Sequence, residues 1–133
     1  MTKESYVKVE DIMSTNIATI DAMATVQDAV TKMRDEGVSS LVCERRDHSD
    51  EYGLMVVSDI AKKVIAKNRA PQRVNVYEIM SKPVLSVPKD MNIRYAVRLL
   101  TQFNLSRGLV VDEHRVPVGI VTLRDLVLRH IDD

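Results

Sequence analysis

The chain has 133 residues, room for one compact domain or for two small halves that share a core. Hydrophobic residues make up 45% and there are only four Gly and four Pro, a composition of globular rather than disordered chains. Nineteen Lys and Arg balance nineteen Asp and Glu, and aromatics are 4%, so neither the basic excess nor the stacking residues of a nucleic-acid surface are present.

The N-terminal stretch MTKESYVKVEDIM lacks the apolar core of a secretory signal. No apolar run nears the ~20 residues of a membrane span. A cytoplasmic protein that binds no membrane is expected. Val9–Ser14, VEDIMS, reads as a short helical turn, and IATI at 17–20 as a short strand. Apolar Val26, Ala29, Val30 and Met33 then recur at i, i+3, i+4, i+7, one face of a helix. Thr25 and Asp28 have the spacing of a capping box at its start. Strands are expected over Val38–Glu44 and Leu54–Val57, joined by the long polar turn RRDHSDEY, with a helix starting near Ser58. Cys43, the only cysteine, sits in the apolar run SSLVCE and reads as a buried small hydrophobe. The polar segment KNRAPQRVN, with Pro71, reads as a linker.

The same order then starts again. VYEIMS at Val76–Ser81 matches VEDIMS, and VLSV at 84–87 is again a short strand. Asn92 can cap a helix in which Ile93, Ala96, Val97 and Leu100 match Val26, Ala29, Val30 and Met33. Strands follow at Ser106–Asp112 and Val118–Thr122 across the short turn EHRVP, and a last helix starts near Leu123. After the turns the register between the copies slips by one. Gly53, Asp59, Ile60 and Ile65 then fall on Gly119, Asp125, Leu126 and Ile131. Repetition at this length implies an α+β fold made of two β-α-β-β-α repeats, 7–68 and 76–132, with 69–75 between them. About 60 residues with three short strands bury too little surface alone, so the two sheets are expected to pack together with pseudo-two-fold symmetry. Clefts near the strand ends at such a junction are natural ligand sites.

The phrase GIVTLRDLV, Gly119–Val127, carries the chemistry. Its first-copy counterpart is GLMVVSDIA, Gly53–Ala61, where Val56 stands for Thr122. Thr122 and Asp125 can be read as a capping box at a helix start. The same strand-to-helix junction also presents unpaired N–H groups and a positive dipole end. A hydroxyl there can donate to a phosphate, and a carboxylate one turn on can accept two hydrogen bonds from a ribose diol. Both readings stand at this point.

The order of elements, the IMS openings, LSRGLVVDE and GIVTLRDLV together resemble a tandem pair of cystathionine-β-synthase (CBS) domains, a Bateman module, over about residues 7 to 132. The resemblance implies that Thr122 faces phosphate and Asp125 holds ribose in an adenosine nucleotide. It adds Ser106 and Arg107 at the phosphate, and Met80, Leu85 and Leu105 along the adenine slot. Arg107 has an alternative as a solvated arginine paired with Asp112 or Glu113. The first copy departs from the pattern. Asp59 remains, but Val56 lacks the hydroxyl, Ser39 and Ser40 replace Ser106 and Arg107, and Ser58 can cap the helix instead. A weaker first site, with Ala18 alongside, is expected to take at most an adenosine-like ligand of little charge. Arg45, Arg46 and His48 of the long turn either reach a phosphate or simply lie in solvent.

Enzyme readings find no support. His48, His114 and His130 make no metal-ligand spacing, and no GxSxG or Walker phrase occurs. His130 is expected to be interfacial. The resemblance therefore implies a stand-alone regulatory module with no required cofactor. Its ligand would be AMP, ADP, ATP or S-adenosylmethionine, and it would signal to a separate effector protein. It also implies a homodimer through helical faces, supported by Leu126, Val127 and Ile131 of the last helix. A ligand-free structural or protein-interaction module with degenerate pockets is the alternative.

Overall fold

A computed structural model describes the backbone of residues 6–132 and their side chains through Arg129. The chain forms two compact units, and neither coincides with one sequence copy. One unit is Asn16–Val84; the other joins the described residues up to Thr15 to those from Leu85 onward.

In the Asn16–Val84 unit, β1 (Thr19–Ile20), β2 (Ser40–Cys43) and β3 (Gly53–Val56) form one sheet in that order. β1 runs parallel to β2, as the crossover through α1 (Val26–Glu36) requires, and β2 pairs antiparallel with β3. The cap expected for α1 is present: Asp28 N donates to Thr25 Oγ1 at 3.1 Å, and Thr25 N donates to Asp28 Oδ2 at 3.2 Å. Gly37 ends the helix at φ 67°, a left-handed turn that costs a side-chain-bearing residue strain. Leu41, Met55, Val26 and Ala29 are fully buried in the core. Cys43 is buried with them. Burial, then the charge of Asp59, pushes its thiol up to about 12, so it is packing material at neutral pH.

α2 (Val57–Ile60) follows β3 directly and continues as one wider π turn over Ala61–Ile65. The segment expected as a linker is ordered and belongs to this unit. Val74 is buried, its carbonyl accepts from Val26 N at 2.8 Å, and Asn75 bridges Thr25. The opening turn of the second copy, Val76–Glu78, completes the same core with Val76 and Ile79. Its Glu78 accepts from Asn75 N at 2.8 Å, so the third residue of the turn closes its own start.

The second unit repeats the plan. β4 (Ser86–Pro88), β5 (Arg107–Val111) and β6 (Pro117–Thr122) form a sheet with α3 (Ile93–Gln102) and α4 (Leu123–Asp132). Arg94 N donates to Asn92 Oδ1 at 2.8 Å, the expected cap. The core holds Ile93, Ala96, Leu100, Val121 and Leu126, and it is completed by Val9 and Ile12 of the first opening turn, Val9–Asp11. Each opening turn thus serves the sheet of the other copy.

The repeated glycine explains how the turns dock. Ser14 and Ile120 exchange backbone hydrogen bonds at 2.8 and 3.0 Å, and Ser81 and Leu54 do so at 2.9 Å each way. A Cβ on Gly119 would lie 2.8 Å from Met13 Cγ and 2.9 Å from the Ser14 carbonyl oxygen. On Gly53 it would lie 2.8 Å from Met80 Sδ and 3.2 Å from the Ser81 oxygen. The Ile-Met-Ser of each opening and the glycine of each phrase are therefore the two faces of one contact.

Candidate functional site

Arg107 and Thr122 are partners across the end of the β5–β6 ladder, so their side chains stand on one face of the sheet. Thr122 leads straight into α4. Asp125 N donates to Thr122 Oγ1 at 3.1 Å, so the hydroxyl caps the helix. Capping uses the oxygen as an acceptor and leaves the hydroxyl proton to donate elsewhere. The Asp125 carboxylate is 46% exposed and lies 3.7 Å from Arg124 Nη1, a loose, solvent-screened contact. Ser106 gives its carbonyl to Leu123 N at 2.7 Å, which fixes the strand entry against the helix start.

These groups meet at one cavity of about 690 Å³, lined by Ser106, Arg107, Thr122, Leu123, Arg124, Asp125, Val127 and Leu128. Four of the seven residues expected at the second-copy site are thus together. The other three are elsewhere. Leu85 packs on the core and its carbonyl accepts from Leu109 N; Leu105 is on the surface. Met80 belongs to the Asn16–Val84 unit, where it touches Gly53 and lines a different cavity. The apolar wall here is Leu123, Val127 and Leu128 instead. Arg124, Val127 and Leu128 stand at i, i+3, i+4 on α4; of the three, the sequence reading named only Val127, and for a dimer face.

The first copy is built differently at the same place. Val56 occupies the cap position and offers no hydroxyl, and Val56 N donates to Asp59 Oδ2 at 3.0 Å. The other Asp59 oxygen lies 3.9 Å from Lys63 Nζ, which also donates to the Ile79 carbonyl at 3.0 Å. The Asp59 side chain is only 16% exposed. Copy one has kept the backward half of the capping box, and copy two has the forward half. Ser58 does not cap, contrary to expectation: the helix begins at Val57, which places Ser58 inside the first turn. Ser40 is buried in β2, Ser39 is exposed with its carbonyl on Val57 N, and Ala18 is a core residue.

The long turn of copy one lines a separate cavity of about 600 Å³ at the opposite end of the β2–β3 ladder, with Arg45, Arg46, Tyr77, Met80 and Lys82. Its cations are largely committed. Asp50 accepts from Lys82 Nζ at 2.6 Å and from Arg46 Nε at 3.2 Å, while Arg45 lies over the Tyr52 ring at 5.0 Å, next to His48. Lys82, then the Arg46 backbone N–H, hold the Asp50 carboxyl well below the usual carboxylate range. The cavity beside Thr122 is the better candidate site because it brings a helix-capping hydroxyl and an exposed carboxylate together with two arginines.

The domain model of the CBS family matches residues 9–66 and again 76–131. The chain belongs to the CBS domain family. CBS pairs are regulatory modules, and the architecture here is that of a tandem pair. A Methanopyrus kandleri protein, MK0525, is 29% identical over 91% of this chain, which spans 61% of that protein's length. The hexameric CBS-CP12 protein of bloom-forming cyanobacteria is 32% identical with a TM-score of 0.89, over 95% of this chain and 69% of that one. The CBS domain pair of protein MJ0100, solved with 5′-methylthioadenosine and S-adenosyl-L-methionine, is 26% identical with a TM-score of 0.79, over 96% of this chain and 98% of that one. Among the described residues no helix is long and apolar enough to cross a membrane. One expectation for the last CBS helix changes. Leu126 is fully buried in its own core and has nothing to offer a partner, whereas Val127 and Leu128 are 39% and 46% exposed. The side chains of His130 and Ile131 lie outside the described residues.

Proposed function

We propose that this CBS pair is a regulatory sensor whose cavity beside Thr122 takes an adenosine-containing ligand, AMP, ADP, ATP or S-adenosylmethionine. The observation that carries this is the convergence of Ser106, Arg107, Thr122 and Asp125 on one cavity of about 690 Å³, within the ~300–1,000 Å³ of ordinary ligand pockets. Thr122 and Arg107 provide for phosphate, and the exposed Asp125 carboxylate for the ribose diol. The adenosine ligands of the MJ0100 CBS pair support the same ligand class. Ligand binding would act by shifting the populations of conformations or associations, and a separate effector protein would read the shift. The exposed Val127 and Leu128 support self-association, the simplest form being a homodimer.

Copy one favours a second reading for its own half. With Val56 apolar and Asp59 engaged by Val56 N and Lys63, that half is a structural or protein-interaction element rather than a second ligand site. Thermal shift separates the readings. A ligand at 100 times its Kd adds ~2.7 kcal/mol of stability. The sensor reading expects a clear rise in Tm with one of the four adenosine ligands and its loss in Asp125→Ala, which keeps the wild-type fold by circular dichroism. A Tm unmoved by all four ligands favours the interaction module.

A further inference from the structure

We infer that the cavity at the Cys43–Gly53 end of the β2–β3 ladder is a second small-molecule site, and that it takes a free α-amino acid with an apolar side chain. It shares no residue with the cavity beside Thr122 and needs no ligand there.

Three features of its lining lead to this class of ligand. The first is an apolar wall. Tyr77 and Met23 are exposed and Met80 is half-buried, and all three line a cavity of about 600 Å³, within the ~300–1,000 Å³ of ordinary ligand pockets. A ring and two thioethers make an adaptable surface for an apolar side chain. The second is an anionic pole. Asp21 and Glu44 stand one residue past Ile20 and Cys43, the last partners of the parallel β1–β2 ladder, so they are neighbours at the end of the sheet. Asp21 Oδ1 accepts from Met23 N at 2.8 Å; its other oxygen and the Glu44 carboxylate bond to no described residue. The third is a cationic pole close by in the chain. Asp50 accepts from Arg46 N at 2.9 Å and from Arg46 Nε at 3.2 Å. That grip orients the guanidinium and leaves its Nη groups, on a largely exposed side chain, to no described residue.

Copy two shows what the fold itself does not need. There Pro88 and Val111 are register partners where copy one has Asp21 and Glu44, and Glu10 stands for Tyr77. Like charges side by side destabilise a sheet, so the acidic pair serves no packing requirement. An ammonium between the two carboxylates removes their repulsion, and a carboxylate suits the Nη fork of Arg46. An α-amino acid carries both groups on one carbon and leaves its side chain for the wall of Tyr77, Met23 and Met80. A simple cation or a simple anion satisfies only one pole.

The test is titration of L-leucine, L-methionine and L-phenylalanine into the full chain, read at the methyl resonances of Met23 and Met80. Saturable shifts of both methyls are expected at millimolar concentration with at least one of the three. For L-leucine, two blocked derivatives separate the poles. N-acetyl-L-leucine lacks the ammonium and L-leucinamide lacks the carboxylate, and each should bind at least about tenfold more weakly, the effect of one lost charged hydrogen bond. Glycine, without the side chain, should weaken by about as much. Asp21→Asn combined with Glu44→Gln should lose about tenfold for L-leucine and nothing for N-acetyl-L-leucine. Asn keeps an oxygen for Met23 N, so the wild-type circular dichroism should be retained. No shift with any of the three amino acids overturns the inference. So does a wild type that binds either blocked derivative as tightly as L-leucine, a comparison that needs no variant to fold. Undiminished L-leucine binding by the folded double variant overturns it as well.

Discussion

Gly119 is glycine because the chain of the first opening turn passes over it, with Ser14 oxygen and Met13 side chain where a Cβ would go. Its backbone conformation is ordinary; the constraint is space. A methionine can move its Cγ and Sδ, but a hydrogen-bonded carbonyl cannot retreat without breaking the Ser14–Ile120 pair. Gly119→Ala is therefore expected to cost about 1–3 kcal/mol, the range of overpacked cores. It should appear as a lower urea midpoint with an unchanged slope. The glycine was visible in the sequence as a repeated residue; its reason was not, because the atoms that crowd it come from the far end of the chain. Thr122 shows the opposite case. Its capping role followed from spacing to Asp125, and it is observed. Arg124 was passed over because one residue of a helical turn reveals its side only when the cavity beside it is known.

At the scale of elements, strands and helices were largely readable. Apolar spacing gives α1 and α3, and Thr25 and Asn92 mark their starts. The missed features are those in which distant polar groups decide. The long turn of copy one looked like solvated loop, yet Asp50 gathers Lys82, Arg46 Nε and Arg46 N around a carboxylate only 8% exposed. That arrangement predicts a pH dependence. The folded carboxyl titrates well below its unfolded value of about 3.9. Below that value the unfolded chain takes up a proton that the folded chain refuses, so stability falls as pH drops toward the folded value. Asp50→Asn should flatten the fall in Tm below about pH 4 relative to wild type, while at pH 7 it is the less stable of the two. Parallel acid slopes for the two proteins would show that Asp50 is not the group responsible.

For the molecule as a whole, the repeat predicts the fold class but not how the chain is shared out. Periodicity reports which residues resemble each other, and it is silent on which opening turn serves which sheet. The buried Val74, Val76 and Ile79 complete the core of the Asn16–Val84 unit. A fragment spanning 16–84 is therefore expected to unfold cooperatively in urea. A fragment spanning 1–68, one whole copy by sequence, lacks those three side chains and should show no cooperative transition by circular dichroism. The reverse result would mean that the opening turns are ornaments on sheets already complete.

The crossed use of the opening turns also sets what one copy can do by itself. A chain with a single copy would have no second turn to lay over its glycine. It could complete its core only by trading first turns with another molecule, as domain-swapped pairs do. A chain that carries both copies holds both traders in one polypeptide, and its halves need not be alike in chemistry, as Val56 in one and Thr122 in the other show.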